Sequence, residues 1–464
     1  MRDRAILHID MNAFYASVAQ HRDPALRRKA IAVAGDPKRR NGIILAKSRE
    51  AKAAGVKTGE AIWQAQQKCP QLIIVPPDYQ AYKRYSKLAR MLYYEYTNQV
   101  EPFGLDESWI DVTGSLHLFG GTQPYRETHQ TGAPPYRQTH QTGASAYTHP
   151  LETKASTRSL ESAYRVAQEI SERIKAELGL TVSIGVSWNK VFAKLGSDTD
   201  SGDGILCITR DNYRQLAWPM PAASMIYIGP VTARKLAANG FYTIGDVAHA
   251  SDTFLQTRFG KIGFMLRSFA RGEDRSQVRV MDPAKADVDY VIKGIGNGLT
   301  APHDLVTEKD VEALVWLLSE SVGQRLREAH FRCRTVSVAA RRAGDLSGYS
   351  RQTTLSQPTC LTRDIARLAM GLLRANQPFD RAHALRAIHV RATNLAALEG
   401  PRQLDLFGEE QATWRQERLD LAIDELRRRF GNNCVRRVVE LSDEAMRQVD
   451  IKRDNTVHPI GFLR

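Results

Sequence analysis

Cysteine is scarce in this chain of 464 residues: Cys69, Cys207, Cys333, Cys360 and Cys434 are the only five, and no two stand in a CxxC spacing. That excludes a zinc knuckle, a redox pair and a disulfide-stapled small scaffold, and leaves reduced, mostly buried thiols as the expectation. Long apolar runs are also missing. No window supplies the ~18 uncharged apolar residues that a membrane-crossing helix needs. The opening string MRDRAILHIDMNAFYAS carries charges on both sides of a short apolar run and has no signal-peptide core, so a cytoplasmic protein is expected. One stretch lacks core-forming residues altogether: from Gly121 to Pro150 there is no Leu, Ile, Val, Phe or Met. It holds an internal repeat, PYRETHQTGAP followed by PYRQTHQTGAS, and such a composition cannot bury a core. Residues 120–159 are therefore expected to be a disordered surface insertion, whose His129, His140 and His149 are solvated rather than metal-bound.

Over the whole chain the composition, 42% hydrophobic and 25% charged, is that of a soluble globular protein. The length suits about three domains. Lys and Arg number 65 against 51 Asp and Glu, a net charge of +14. Such a field favours polyanions, of which nucleic acid is the commonest soluble one.

The string AILHID (5–10) reads as a short buried strand ending on a carboxylate, followed by a helix in NAFYASVAQ. A second strand ending in an acid spans Trp109 to Val112, and a basic, tyrosine-rich helix runs from Tyr79 to about Thr97. The segment SAYRVAQEISERIKAELG predicts an amphipathic helix ended by Gly179, and TVSIGVS a strand after it. Period-two strands are expected at 335–340 and 385–392. The helix WRQERLDLAIDELRRRFG places Leu419, Ile423, Leu426 and Phe430 on one face, with Gly431 as its C-terminal cap. Three carboxylates stand out by context: Asp10 at a strand end, and the adjacent Asp106 and Glu107 in FGLDESWID. Acids converging from neighbouring strands can hold magnesium for phosphoryl transfer, although any strand end or solvated loop can carry such residues.

Several further strings bear on that choice: HIDMNAFYASV, GVKTG, PPDYQAYKRYS, LDESWIDVTGS, TVSIGVSWNKVFAKLGSD and IYIGPVTARKLAANGFYTIGDVA. Together, and in this order across residues 5–115 and 160–440, they resemble the Y-family of translesion DNA polymerases, closest to the DNA polymerase IV group. The resemblance implies a mixed α/β right-hand polymerase. Its palm would span 1–12 and 78–202, its fingers 13–77, a helical thumb 203–285 and a little finger 288–440, before a tail at 441–464. It implies template-directed, error-prone synthesis by two-metal chemistry, on primer-template DNA with deoxynucleoside triphosphates, by a monomer associated with the nucleoid. No length is left for a proofreading exonuclease. A catalytically silent, clamp-binding adaptor and a different palm-type nucleotidyltransferase are the competing readings; the first would have lost the acids, and the second needs no clamp peptide.

Carried over residue by residue, the resemblance makes Asp10, Asp106, Glu107 and the main-chain carbonyl of Met11 the ligands of two Mg2+ ions. Tyr15 falls at the steric gate against ribonucleotides, while Phe14 is read as core and Asp111 as a turn carboxylate. Lys194 matches a lysine that reaches the triphosphate; Tyr82 and Arg84 would lie near it. Where the family has SYEAR in the fingers this chain has Ser48-Arg49-Glu50-Ala51-Lys52, so Arg49 and Lys52 keep the charge for nucleotide binding without the geometry. Gly104 stands for a usual serine, and Asn12 for a frequent second aspartate. Residues 226–247 resemble a helix-hairpin-helix, with Gly229, Thr232 and Lys235 at phosphate-contacting positions and Tyr227 where a glycine is usual, which is expected to alter the backbone's approach. Arg341, Arg342 and Arg351 flank the middle strands of the little finger as DNA contacts. Gln403, Leu404, Leu406 and Phe407 in QLDLF resemble a sliding-clamp-binding peptide.

Overall fold

The computed structural model describes residues 4–35, 42–119, 155–199, 203–280, 292–399, 409–441, 444–447 and 449–451. The repeat and the QLDLF peptide lie outside the described residues. Twelve strands are present among those described: β1 (Ile6–Met11), β2 (Ile31–Ala34), β3 (Ile44–Lys47), β4 (Ile73–Val75), β5 (Val100–Pro102), β6 (Glu107–Asp111), β7 (Val182–Ser187), β8 (Ile205–Ile208), β9 (Gly294–Leu305), β10 (Phe331–Arg342), β11 (Gly348–Thr359) and β12 (Leu385–Ala397). They form three sheets in a chain that divides into two compact units. No described helix is long and apolar enough to cross a membrane, and all five cysteines are free.

The first unit takes the described residues of Met1–Arg27 and Gln80–Asp289. Its five-stranded sheet runs β5-β6-β1-β7-β8, with β1 central and antiparallel to both neighbours. The apolar runs of β1 and β7 are buried along almost their whole length, as a strand covered on both faces must be. The helix Ala155–Leu178 contributes Leu160, Ile170 and Ile174 to this core. Its first five residues, 155–159, fall within the expected insertion. The helix Lys190–Ser197 lies so close to the sheet that a Cβ on Gly185 of β7 would stand 1.8 Å from the carbonyl oxygen of Ala193. Only glycine admits that approach. Asn189 caps this helix through Oδ1, which accepts from the Phe192 amide at 2.8 Å. Short helices from Tyr213 to Ala270 complete the unit around Leu236, Ile244, Val247 and Leu266.

The second unit takes the described residues of Arg28–Tyr79 and Tyr290–Phe462. The first segment is a small lobe with the sheet β3-β2-β4. The second has the antiparallel sheet β11-β10-β12-β9, one face of which is covered by the helices Glu308–Glu328 and Thr362–Arg374.

The helix Glu409–Phe430 exists as expected, and Gly431 ends it at φ +91° with its amide on the Arg427 carbonyl. Its buried side is not the apolar one. Leu419, Leu426 and Phe430 are exposed, whereas Asp420 and Arg427 are buried. The cause is an ionic anchor on the neighbouring helix. Arg327 forms a two-pronged bond to Asp424 (2.6 and 3.0 Å) and reaches Asp420 at 3.2 Å and the Cys360 carbonyl at 2.7 Å. Arg427 and Arg437 both hold Glu320, at 2.6 and 2.7 Å. Removing one partner of such a buried group strands the other without solvent. Asp420→Ala is therefore expected to destabilise this unit by about 3 kcal/mol in chemical denaturation. Leu419→Ala should stay within about 0.5 kcal/mol; equal losses would reverse the assignment of the buried side.

Candidate active site and nucleic-acid surfaces

The register of β1 against β6 pairs Asp10 with Glu107 and His8 with Trp109. Side chains alternate along a strand, so His8, Asp10, Glu107 and Trp109 share one face of the sheet. That is the face on which Lys190–Ser197 lies, because Gly185 pairs with His8. Asp106 precedes β6, and its carbonyl accepts the Met11 amide at 3.0 Å. Gly104 holds φ +102°, and a Cβ there would stand 3.2 Å from Asp106 Oδ1. A serine would be strained at that position, so this departure from the family pattern fits the local backbone.

The acids differ in their electrostatics. Burial, then the nearby Glu107 and Asp106, pushes Asp10 up to about 8. Burial and Glu107 push Asp106 up to about 6. Glu107 is itself largely buried, but His8 and Lys194 outweigh that burial and hold it below the usual carboxylate range. Lys194 Nζ lies 2.6 Å from Glu107 Oε2 and 3.2 Å from Asp198 Oδ1. His8 Nε2 lies 3.3 Å from the same Oε2, and its Nδ1 is 2.6 Å from Ser197 Oγ. Three oxygen-donor acids, two of them reluctant to ionise without a cation, have the chemistry that a hard divalent ion takes. As they stand, no three acidic, histidine or cysteine side chains among the described residues are drawn together tightly enough to hold one.

Tyr15 is half-buried on the helix Phe14–Arg22, and its ring stacks on Tyr82 at 4.1 Å and 10°. Phe14 is buried and also meets Tyr82, at 6.0 Å. Tyr82 is thus a core residue. Asn12 turns to β7: its Oδ1 accepts from Ser183 Oγ at 2.9 Å and its Nδ2 donates to Asp203 at 3.1 Å. Asp111 caps the turn at Thr113, as expected of a strand-end carboxylate. Arg49 and Lys52 are exposed on the helix Arg49–Ala53 of the second unit.

The sequence profile of the impB/mucB/samB family matches residues 9–198, and that of the same family's C-terminal domain matches 292–406. DNA polymerase IV of Acetivibrio thermocellus is 39% identical over 96% of this chain and all of that protein. DNA polymerase IV 1 of Bacillus subtilis strain 168 is 32% identical over 96% of this chain and 94% of its own length. The chain belongs to the DNA polymerase IV group of the Y-family. It is a DNA-directed DNA polymerase of the translesion type. Its fold is also that of a solved Y-family polymerase chimera, Dbh-Dpo4(243-245)-Dbh, at a TM-score of 0.66, with 20% identity over 85% of this chain and 99% of that one.

Two surfaces of this Y-family chain carry the other expected residues. In the first unit, Gly229 is the N-cap of the helix Pro230–Ala237, and no side chain caps that helix. The first-turn amides are thereby left to a ligand or water. Thr232 is half-buried in that turn and Lys235 is exposed. Tyr227 takes φ +70°, the conformation a glycine would take, so the turn is kept despite the lost glycine. The left-handed backbone costs an L-residue about 1–2 kcal/mol. In the second unit the three arginines do not form one patch. Arg341 points to the open face of the sheet. Arg351, paired with Val338, points to the helix-covered side and donates to Asn376 at 2.7 Å, while Arg342 stands at the mouth of the β10–β11 hairpin. Arg391 and His389 of β12, not singled out in the sequence, join Arg341 on the open face. They lie over Gly296 and Gly298 of β9. The period-two glycines of KGIGNGLT were the available signal.

The raised acids set a pH dependence. A carboxyl whose folded pKa lies above its unfolded one contributes stability at low pH that is lost as pH rises through the folded value. Divalent ions bind the ionised form. Chelated protein should therefore lose Tm between pH ~6 and ~8 relative to Asp10→Asn, and Mg2+ should raise Tm more at pH ~8 than at pH ~6. A Mg2+ effect of equal size at both values would contradict the assignment of these shifts to the binding acids.

Proposed function

We propose that the chain extends a DNA primer by two-metal phosphoryl transfer, without proofreading, with Asp10, Asp106, Glu107 and the Met11 carbonyl as the ligands of two Mg2+ ions. The observation that carries this reading is the pairing of Asp10 with Glu107 across β1 and β6, with Asp106 beside them, which draws acids from distant parts of the chain to one sheet face. Magnesium would supply activation of the primer 3′-hydroxyl and neutralisation of the triphosphate. The protein's part is to hold the acids on and beside two paired strands, β1 and β6, and keep their charge from solvent. Tyr15 acts as the gate beneath the sugar, and its stacking on Tyr82 supports that role by fixing the ring plane. Lys194, Arg49 and Lys52 serve the triphosphate. The amides after Gly229, with Thr232 and Lys235, take a DNA phosphate, and Arg341 grips the backbone from the open sheet face, with Arg342 and Arg351 at the sheet's edge. Gln403, Leu404, Leu406 and Phe407 engage a sliding clamp, and the protein works as a monomer.

Primer extension with magnesium and four deoxynucleotides tests the reading. The protein as written is expected to extend, and Asp106→Ala to abolish extension; activity surviving in the variant would remove the acids from the chemistry. Tyr15→Ala is expected to admit ribonucleotides at the same primer end, and unchanged sugar discrimination would remove the gate.

A further inference from the structure

We propose that Lys194 is the built-in counter-ion of the acid cluster, and that it holds Glu107 away from a metal ion until a polyphosphate takes its ammonium group. This rests on the reading of Glu107 as a metal ligand.

One oxygen carries the argument. Glu107 Oε2 receives the Lys194 ammonium at 2.6 Å and faces His8 Nε2 at 3.3 Å. A charge-assisted contact of that length is among the stronger bonds a carboxylate makes. An ammonium on that oxygen competes with a divalent ion for the carboxylate, because the two cations would stand within a few ångströms of each other with like charge. The lysine is placed to do this by its backbone. Its helix is capped by Asn189 and sits on Gly185, and Ser197 Oγ ties the last turn to His8 Nδ1 at 2.6 Å and to the Lys194 carbonyl at 2.8 Å. The side chain is largely buried, with a second tether to Asp198 at 3.2 Å. Only its flexible stem can move. What could draw it off is an anion of higher charge density than one carboxylate, and a triphosphate has that chemistry. Metal and nucleotide would then assemble the ligand set together, and each would strengthen the other's binding by the same factor.

The test is Mn2+ binding to the full chain without DNA or nucleotide, followed by electron paramagnetic resonance, for the protein as written, Lys194→Gln, Glu107→Gln and the double variant. Lys194→Gln is expected to bind Mn2+ roughly tenfold tighter, the factor that a hydrogen bond to a charged group is worth. In the Glu107→Gln background the same substitution should have a clearly smaller effect, since what remains is only the lysine's charge acting on Asp10 and Asp106. Unchanged or weaker Mn2+ binding in folded Lys194→Gln overturns the inference. Should that variant not fold, Lys194→Met, similar in length and uncharged, carries the same expectation and the same refutation. The two readings fail separately: Glu107→Gln without effect on Mn2+ in the Lys194→Gln background removes Glu107 from the metal site, whereas a weakened Glu107→Gln with Lys194 in place, beside an unaltered Lys194→Gln, removes only the lock.

Discussion

The structure of the first unit is governed by electrostatic repulsion held in place by strand pairing. The ladder between β1 and β6 sets Asp10 opposite Glu107, and two carboxyl groups so placed resist ionising together, which helps to push Asp10 up to about 8. Burial raises the cost further. The surrounding sequence answers this cost residue by residue. Apolar neighbours on β1 and β7 fix the ladder, Gly185 lets a helix descend onto the sheet, and that helix delivers the one ammonium group bound to Glu107. His8, two residues before Asp10, is buried on the same face, with Nε2 3.3 Å from the Glu107 carboxylate.

The second unit solves a similar problem in the opposite way. Its helix Glu409–Phe430 is anchored by paired charges and leaves leucines and a phenylalanine to solvent. Arg327 is neutralised by two carboxylates and also bonds a main-chain carbonyl, so its charge is buried with its hydrogen bonds met. Such an anchor adds little net stability over an apolar one, but it tolerates no change of partner. The helix is therefore specified by the match of Asp420 and Asp424 to one guanidinium rather than by its hydrophobic stripe.

Much of this was legible in the sequence where period and chemistry coincide. The strands that end on Asp10 and Asp111, the helix in NAFYASVAQ, the glycine cap at 431 and the core role of Phe14 all follow from local patterns. The acids stand out by context, but it is the ordered strings around them, rather than their strand-end positions, that mark them as metal ligands. Three things were not legible. Hydrophobic periodicity picks out apolar faces and is blind to buried ion pairs, so the docking side of Glu409–Phe430 was missed. The side on which Arg351 emerges depends on pairing register, and the irregularity between Cys333 and Thr335 is not written in any local pattern. The turn at Tyr227 keeps a glycine's backbone with a tyrosine, because the surrounding hairpin overrides local preference.

The open face of the sheet β11-β10-β12-β9 has a consequence of its own. Across its middle lie Gly296 and Gly298, then Arg391 and His389, then Ser337, Ala339 and Arg341, and then Gln352 and Ser350. The glycines of β9 lie beside Arg391 and His389, and the two arginines and the histidine make the middle of this face electropositive. Its hold on a polyanion would come from displaced counter-ions, with a strength that follows ionic strength and ignores sequence.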